Sequence, residues 1–405
     1  MASYPRLLLR DICDAVEYGY TASSSTAPIG PRFLRITDIV PDRLDWDGVP
    51  FCAIDQKKLA KHRLRNGDIV IARTGATTGW AKYIANPPEA VFASYLVRIQ
   101  PSESVDSRYV GFVVESQVYK DFIQQHMGGA AQPNANAQVL TSFELPLPPL
   151  PIQRRIAGIL SAYDDLIENS QRRIKILEEM ARRLYREWFV HFHFPGHEDC
   201  TFVESPLGEI PEGWRIEPLG DIAQITMGLS PKGDSYNEEA MGTPLINGPV
   251  EYGERFPKRV KWTTSPTKTC SKGSLIICVR GSTTGKYVKS DGEYCLGRGV
   301  CSLSSGFQGF VDQLFISELP VLLRQAGGST FPSWTSNQLL NHQVVSPSLA
   351  ILTRFEEVSK PINEQISVID KQIQNLRCTR DLLLPRLLSG QIDVEALPAP
   401  RLTEP

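Results

Sequence analysis

The strongest constraint on this chain is a pattern that occurs twice. "RTGATTGWAK" spans Arg73–Lys82 and "VRGSTTGKYVK" spans Val279–Lys289, about two hundred residues apart. A nucleotide-binding loop would need a Gly-Lys-Ser/Thr ending that leads into a helix, so that a lysine and a hydroxyl reach phosphate and metal. Neither copy has that ending. Each is instead preceded by an apolar run, "DIVIAR" after Gly67 and "SLIICV" after Gly273. Runs of this length bounded by glycines read as buried strands entering a tight turn. The expected unit is a strand followed by a polar loop, built twice.

The likeness extends beyond the turn, and a repeat missed would miscall the fold. "LRDICDAVEYGYT" (Leu9–Thr21) echoes "LGDIAQITMGLS" (Leu219–Ser230), and "GGAAQPNANAQVL" from Gly128 echoes "GGSTFPSWTSNQLL" from Gly327. "LPPLPIQRRI" (Leu147–Ile156) lines up with "SPSLAILTRF" (Ser346–Phe355) at an offset of 199. Both halves then turn helical. Steps of four and three from Ile156 pick out Leu160, Tyr163, Ile167, Ser170, Ile174, Leu177, Ala181, Leu184 and Trp188. The same steps from Phe355 give Ser359, Ile362, Ile366, Ile369, Ile373, Leu376, Arg380, Leu383 and Leu387. Sixteen of these twenty positions are large and apolar. A stripe held in one register over more than four heptads predicts a coiled-coil seam between the two helices.

Chain order is domain, helix, domain, helix. An antiparallel pair lets the second helix start where the first ended, whereas a parallel pair would carry the chain back along the whole rod. The expected fold is therefore α/β in the α+β sense. Two mixed domains sit at opposite ends of an antiparallel coiled coil of two long helices, related by a pseudo-twofold axis. At 1.5 Å per residue, the stretch from Ile156 to Trp188 spans roughly 50 Å. The boundaries read as a first domain over 1–150 and a central helix with its connection over 151–205. A second domain follows over 206–347, then a C-terminal helix and tail over 348–405. Pro385 removes a helical N–H, so the second helix is expected to end or kink near Leu384, with "LLSGQIDV" as a Gly-stopped end.

Net charge is −2, so the chain as a whole is not basic. Local fields differ. Arg255–Arg298 holds ten Lys/Arg against Asp291 and Glu293, and Lys57–Lys82 holds seven against Asp68. Both stretches end at or enclose a repeated turn. The eight cysteines include no Cys-x-x-Cys, which suits reduced thiols in a cytosol. No signal peptide or eighteen-residue apolar span is read, so a cytoplasmic protein is expected.

Two motifs are set aside. "NPPE" (Asn86–Glu89) lacks the aromatic that amino-methyltransferases stack on a flipped base, and no Gly-rich S-adenosylmethionine loop accompanies it. "HFHFPGHEDC" gathers His191, His193, His197 and Cys200. Three imidazoles and a thiolate are able to hold zinc, but the spacing is not that of a zinc finger or a His-Glu-x-x-His protease. No metal site is expected, and Trp188, Phe189, Phe192 and Phe194 read as packing.

Four further stretches carry a resemblance. They are "GYTASSSTAPIGPRFLRITDI" (Gly19–Ile39), "LPLPPLPIQRRI" (Leu145–Ile156), "LYREWFVHF" with "LGEIPEGWRIEPLGDI" (Leu184–Ile222), and "LLLPRLLSGQIDV" (Leu382–Val394). In this order, over nearly the full length, they resemble the specificity subunits of type I restriction-modification enzymes. The resemblance implies a non-catalytic subunit that reads double-stranded DNA as two half-sites around an unspecified gap. It also implies two methyltransferase subunits and restriction/translocase subunits as partners, in a prokaryotic cytoplasm and without a membrane. No cofactor is expected on this chain, with S-adenosylmethionine, ATP and Mg on the partners. A coiled-coil scaffold that binds only protein is the competing class, but it leaves the paired basic loops without a role. A metalloenzyme built on the histidine tract would carry stoichiometric zinc.

Short hydroxyls and glycine-turn amides suit phosphate oxygens, and arginines suit the O6/N7 edge of guanine. The candidate DNA contacts in the first half are Tyr20, Thr21, Ser23, Arg35 and Thr37, with Arg73, Thr74, Thr77, Thr78 and Lys82 on the loop. In the second half they are Ser230, Lys232, Asn247 and Arg298, with Arg280, Ser282, Thr283, Thr284 and Lys286 on the loop. Residue type does not divide base readers from phosphate contacts.

Overall fold

A computed structural model describes residues 4–41, 44–127, 134–327, 332–394 and 396. It mixes helix and strand in two compact units, Met1–Ser170 with Lys371–Pro405, and Gln171–Asp370. Parts of the echo that begins at Gly128 and Gly327, 128–133 and 328–331, lie outside the described residues.

The first unit is built on a four-stranded antiparallel sheet in the order Cys13–Tyr18, Leu96–Pro101, Ile69–Ala72, Ala81–Tyr83. Ile69–Ala72 is buried throughout because the sheet is covered on both faces. Ile69 and Ile71 join a core with Tyr109 and Val110 of the helix Ser107–Glu115. Val70 and Ala72 face the other way, into a core with Leu34 and Phe92. A strand covered on both faces reads as a continuous apolar run rather than an alternating one. Each fully buried Val or Ile side chain contributes about 1.5–3 kcal/mol. Leu34 and Phe92 belong to a parallel pair, Arg32–Leu34 with Ala90–Phe92, and Arg6–Leu8 pairs antiparallel with Glu144–Pro146.

The second unit repeats this plan. Its sheet runs Gln224–Met227, Val300–Ser304, Leu275–Cys278, Tyr287–Lys289. The parallel pair recurs where Thr243–Ile246 meets Tyr294–Leu296, and the closing antiparallel pair where Arg215–Pro218 meets Gln343–Ser346. Even the close backbone approaches match. A Cβ on Gly19 would lie 2.2 Å from the Ala93 carbonyl oxygen, and one on Gly228 would lie 2.1 Å from that of Gly297.

The two long helices are Leu150–Tyr185 and Leu349–Leu388, and each unit takes a segment of both. In the first unit Ile156 and Leu160 share a core with Leu384 and Leu387, and Arg380 pairs with Asp164 at 2.7 Å. In the second, Tyr185, Trp188 and Phe189 share a core with Ile351, Leu352 and Phe355. Within each unit, then, an early segment of one helix packs on a late segment of the other. All sixteen large apolar seam residues are buried or half-buried. Trp188 falls just past the regular helix, in a wider π-type turn over Arg186–Val190.

The expected stop near Leu384 is corrected. The second helix continues through Pro385 to Leu388, as it does through Pro361. The carbonyls that lose a donor belong to Asp381 and Glu357, both exposed to water, so the cost is small there. Meanwhile Leu384 and Leu387 on either side of Pro385 are held in the core. The stop comes at Gly390, in the left-handed region at φ 67°.

Candidate nucleic-acid interface

Both repeated turns are the same object in space. Gly75 and Gly79 have φ of 80° and 89°, and Gly281 and Gly285 have 88° and 90°, a region open to glycine and costly for side chains. In each copy the last strand residue accepts from the second glycine, Gly79 N to Ala72 O at 2.8 Å and Gly285 N to Cys278 O at 2.9 Å. The Thr78 and Thr284 hydroxyls donate to the Gly75 and Gly281 carbonyls at 2.7 and 2.9 Å. Both threonines are buried, so these hydroxyls hold the loop rather than line its surface. A helix backs each turn: a Cβ on Gly79 would meet Ile123, and one on Gly285 would meet Leu319.

Strand registers show that the two arginines are not equivalents. Ala72 lies opposite Leu96 and Cys278 lies opposite Val300, which makes Arg73 the counterpart of buried Val279. Thr74 bridges Asn134 and Arg280 bridges Ser333, so Arg280 matches Thr74. Nor does Lys82 match Lys286. Lys82 sits on the edge strand and pairs with Glu115 at 3.7 Å, and its counterpart is Val288.

Around Arg73 the first unit assembles a polar cluster. The guanidinium lies over the Tyr18 ring at 4.9 Å, and Nη2 donates to Asn134 Oδ1 at 3.3 Å. Tyr20 lies nearby in the chain, with Lys58 Nζ 5.5 Å from its ring and His62 tilted against it at 5.9 Å. Burial, then the neighbouring Lys61 charge, pushes His62 below the ordinary histidine pKa. Thr21, Ser23 and Thr37 are exposed, while Thr74 and Thr77 are half-buried. Arg35 is committed to Asp38, donating from Nε and Nη2 at 3.0 and 2.8 Å, and that hydrogen bond holds it above its ordinary pKa. Sequence reading missed Tyr18, Asn134, Lys58 and His62. Only their types were visible, because the contacts to Arg73 span 55 and 61 residues.

The second unit offers a sparser rim. Lys232, Arg280, Ser282, Lys286 and Arg298 are exposed. Thr283 Oγ1 is 3.3 Å from Cys278 Sγ, and Ser230 Oγ accepts from Arg298 N at 3.3 Å. Asn247 packs under the glycine pair Gly297 and Gly299, where added Cβ atoms would clash with it. Of the basic run, Arg255 pairs with Glu178, Arg259 with Asp291 and Lys289 with Asp312. The other exposed cations of this run are Lys258, Lys261, Lys268 and Lys272, with Arg280, Lys286 and Arg298 on the rim.

His191 and His193 rings are 6.2 Å apart and those of His193 and His197 5.2 Å, but His193 bonds Glu187 and His197 bonds the Phe194 carbonyl. Among the described residues no three His, Cys, Asp or Glu are grouped to hold a metal ion, and no helix is long and apolar enough to cross a membrane.

The chain is similar to known proteins. Residues 47–179 fit the family described as the type I restriction modification DNA specificity domain. The chain is 27% identical over 400 residues to the "Putative type I restriction enzyme MjaX specificity subunit" of Methanocaldococcus jannaschii, covering 96% of this chain and 93% of that one. It is also 27% identical over 311 residues to the type I restriction enzyme MjaIX specificity subunit of the same organism, covering 74% and 72%. The crystal structure of a type I restriction-modification system S subunit from M. genitalium shares the fold at a TM-score of 0.56, with 14% identity, covering 95% of this chain and 96% of that one.

Proposed function

We propose that this chain is a specificity subunit of the type I restriction-modification family and that it reads a bipartite DNA target, one half-site per unit, around an unspecified gap. It is not an enzyme; sequence-specific DNA recognition within a restriction-modification complex is its part. The observation that carries the bipartite reading is the strand-and-turn scaffold built twice with chemically different rims. Two copies of one scaffold suit two DNA segments of like shape, and different rims suit different bases.

The long helices supply the spacing in this reading. In it the two helices pair as one antiparallel seam that sets the distance between the half-sites, and the bounds 1–150, 151–205, 206–347 and 348–405 separate readers from spacers. A rod of roughly 50 Å corresponds to about fourteen base pairs between domain centres. Two methyltransferase subunits and restriction subunits assemble on the chain, and they carry S-adenosylmethionine, ATP and Mg. The DNA contacts lie among the exposed and half-buried rim residues, with Arg73 on one unit and Lys232, Arg280, Lys286 and Arg298 on the other.

Methylome sequencing of a host with this gene present and deleted tests the reading. A methylated motif of two half-sites around a fixed gap, lost on deletion, is expected. A contiguous motif, or none, refutes the bipartite function.

A further inference from the structure

We infer that Arg73 reads a guanine in the first half-site and that Tyr18 and Asn134 are its positioning residues; this rests on the DNA-reading function proposed above. A base-reading arginine must hold its planar fork still, because bidentate bonding to guanine O6 and N7 requires both atoms in one plane. A phosphate contact has no such demand, and a flexible cation serves.

Arg73 meets the stricter requirement. Its guanidinium is laid over the ring of Tyr18, itself 43% exposed, and Nη2 is tied to Asn134. Nε is buried and has no hydrogen-bond partner, so a ligand can be met only at the outer end, by Nη1 and Nη2. Nη2 carries two hydrogens and gives one to Asn134. One remains beside the two of Nη1, which is what an end-on fork to guanine uses. The backbone is fixed as well, since Arg73 N donates to Tyr95 O at 3.0 Å and Ala135 N donates to Arg73 O at 2.9 Å.

The second unit has nothing comparable at these positions. Met227, Val279, Gly299 and Ser333 stand where Tyr18, Arg73, Tyr95 and Asn134 stand in the first. The cluster is thus no part of the shared scaffold. The strands and turns form without it, and it belongs to the half-site that the first unit reads.

The test uses the complex with its methyltransferase subunits and a library of duplexes randomised across the target. Arg73→Lys keeps the charge and loses the fork. The expected result is that Arg73→Lys and Arg73→Ala each reduce the preference for guanine at one position of one half-site by about 5- to 150-fold, with the other half-site unchanged. Asn134→Ala should relax the same position less. If Arg73→Lys keeps full preference, or Arg73→Ala weakens all sequences alike, the inference is overturned while the function stands. If the unaltered complex enriches no motif, the function itself fails and takes the inference with it. Should Arg73→Ala fail to fold, Arg73→Lys decides alone.

Discussion

On the inner face of its sheet, the first unit carries charge where the second carries a hole. In the first, buried Arg98 pairs with Glu17 and Asp68 and donates to the carbonyls of Arg63 at 2.6 Å and Lys61 at 3.1 Å. Gln100 completes the set with a 3.0 Å bond to Asp68. The ladders pair Glu17 with Arg98 in one unit and Thr226 with Ser302 in the other, so threonine and serine take their places. Ser274 and Ser304 likewise replace Asp68 and Gln100. These hydroxyls line a polar cavity of about 450 Å³ that also touches Lys272 and Glu293. The same backbone therefore tolerates two opposite solutions to burying polar atoms: a buried ion network, or small hydroxyls beside open space that water can fill. Ladder bonds, turn dihedrals and the outer apolar face are shared. The interior charge and the rim chemistry are free to differ, which under the proposed function would let one fold serve two half-sites of different sequence.

If the units read their half-sites independently, as proposed, the largest effect should follow from lengthening the helices between them. Inserting seven residues after Gln171 and seven after Asp370 keeps the apolar register and adds about 10 Å to the helices, roughly three base pairs. Both insertions fall within a residue of the division between the units. The complex should then methylate the same two half-sites with a gap about three base pairs longer and leave the original target untouched. Four residues in one helix alone should rotate the seam and destabilise the subunit. Unchanged spacing in the doubly extended chain would sink the idea of a helical ruler.

A second test separates the two sheet interiors. Removing Arg98 strands Glu17 and Asp68, so Arg98→Ala should cost about 3–5 kcal/mol in the first unit, the usual consequence of breaking a buried ion pair from one side. Ser302→Ala should cost within about 1 kcal/mol in the second, where the hydroxyl faces open space. Hydrogen exchange at Ile69–Ala72 and at Leu275–Cys278 reads the two units separately. Similar small losses at both sites would mean that the charge network stabilises nothing.

How much of this was legible beforehand depends on whether the signal was periodic. The strands at Ile69–Ala72 and Leu275–Cys278 and the helical seam from Ile156 and Phe355 announce themselves by runs and heptads. The arginine slip is written in the strings, Arg73 two residues before Gly75 and Arg280 one before Gly281, but a shared Arg near a shared Thr-Thr-Gly hides what it means. The ladder supplies the meaning, because it shows where each strand ends and that one arginine leaves it a residue earlier than the other. Thr78 and Thr284 looked like surface hydroxyls, yet each turns inward to its own loop carbonyl. Lys82 looked like a phosphate contact, yet the edge strand directs it to Glu115, 33 residues on. Arg98 gave no local sign at all, since its partner Glu17 lies 81 residues away.

The smallest effect expected concerns the rim of the second unit. Arg280 and Lys286 are exposed, and among the described residues no acidic partner holds either side chain. Two exposed cations beside a glycine turn suit phosphate oxygens, in contrast to the held fork of Arg73. Replacing both with alanine should therefore weaken DNA binding by the complex on every sequence alike. Each lost phosphate contact should flatten the dependence of log K on log salt by about 0.9, so a change near 1.8 is expected for the pair. Binding measured across a salt series decides it. If one base position is relaxed instead, then Arg280 or Lys286 reads a base and the two rims are more alike than the strand register implies. If neither affinity nor specificity changes, the second turn serves only to end its strand, and recognition in that unit rests on Lys232, Arg298 and the loops around Asn247.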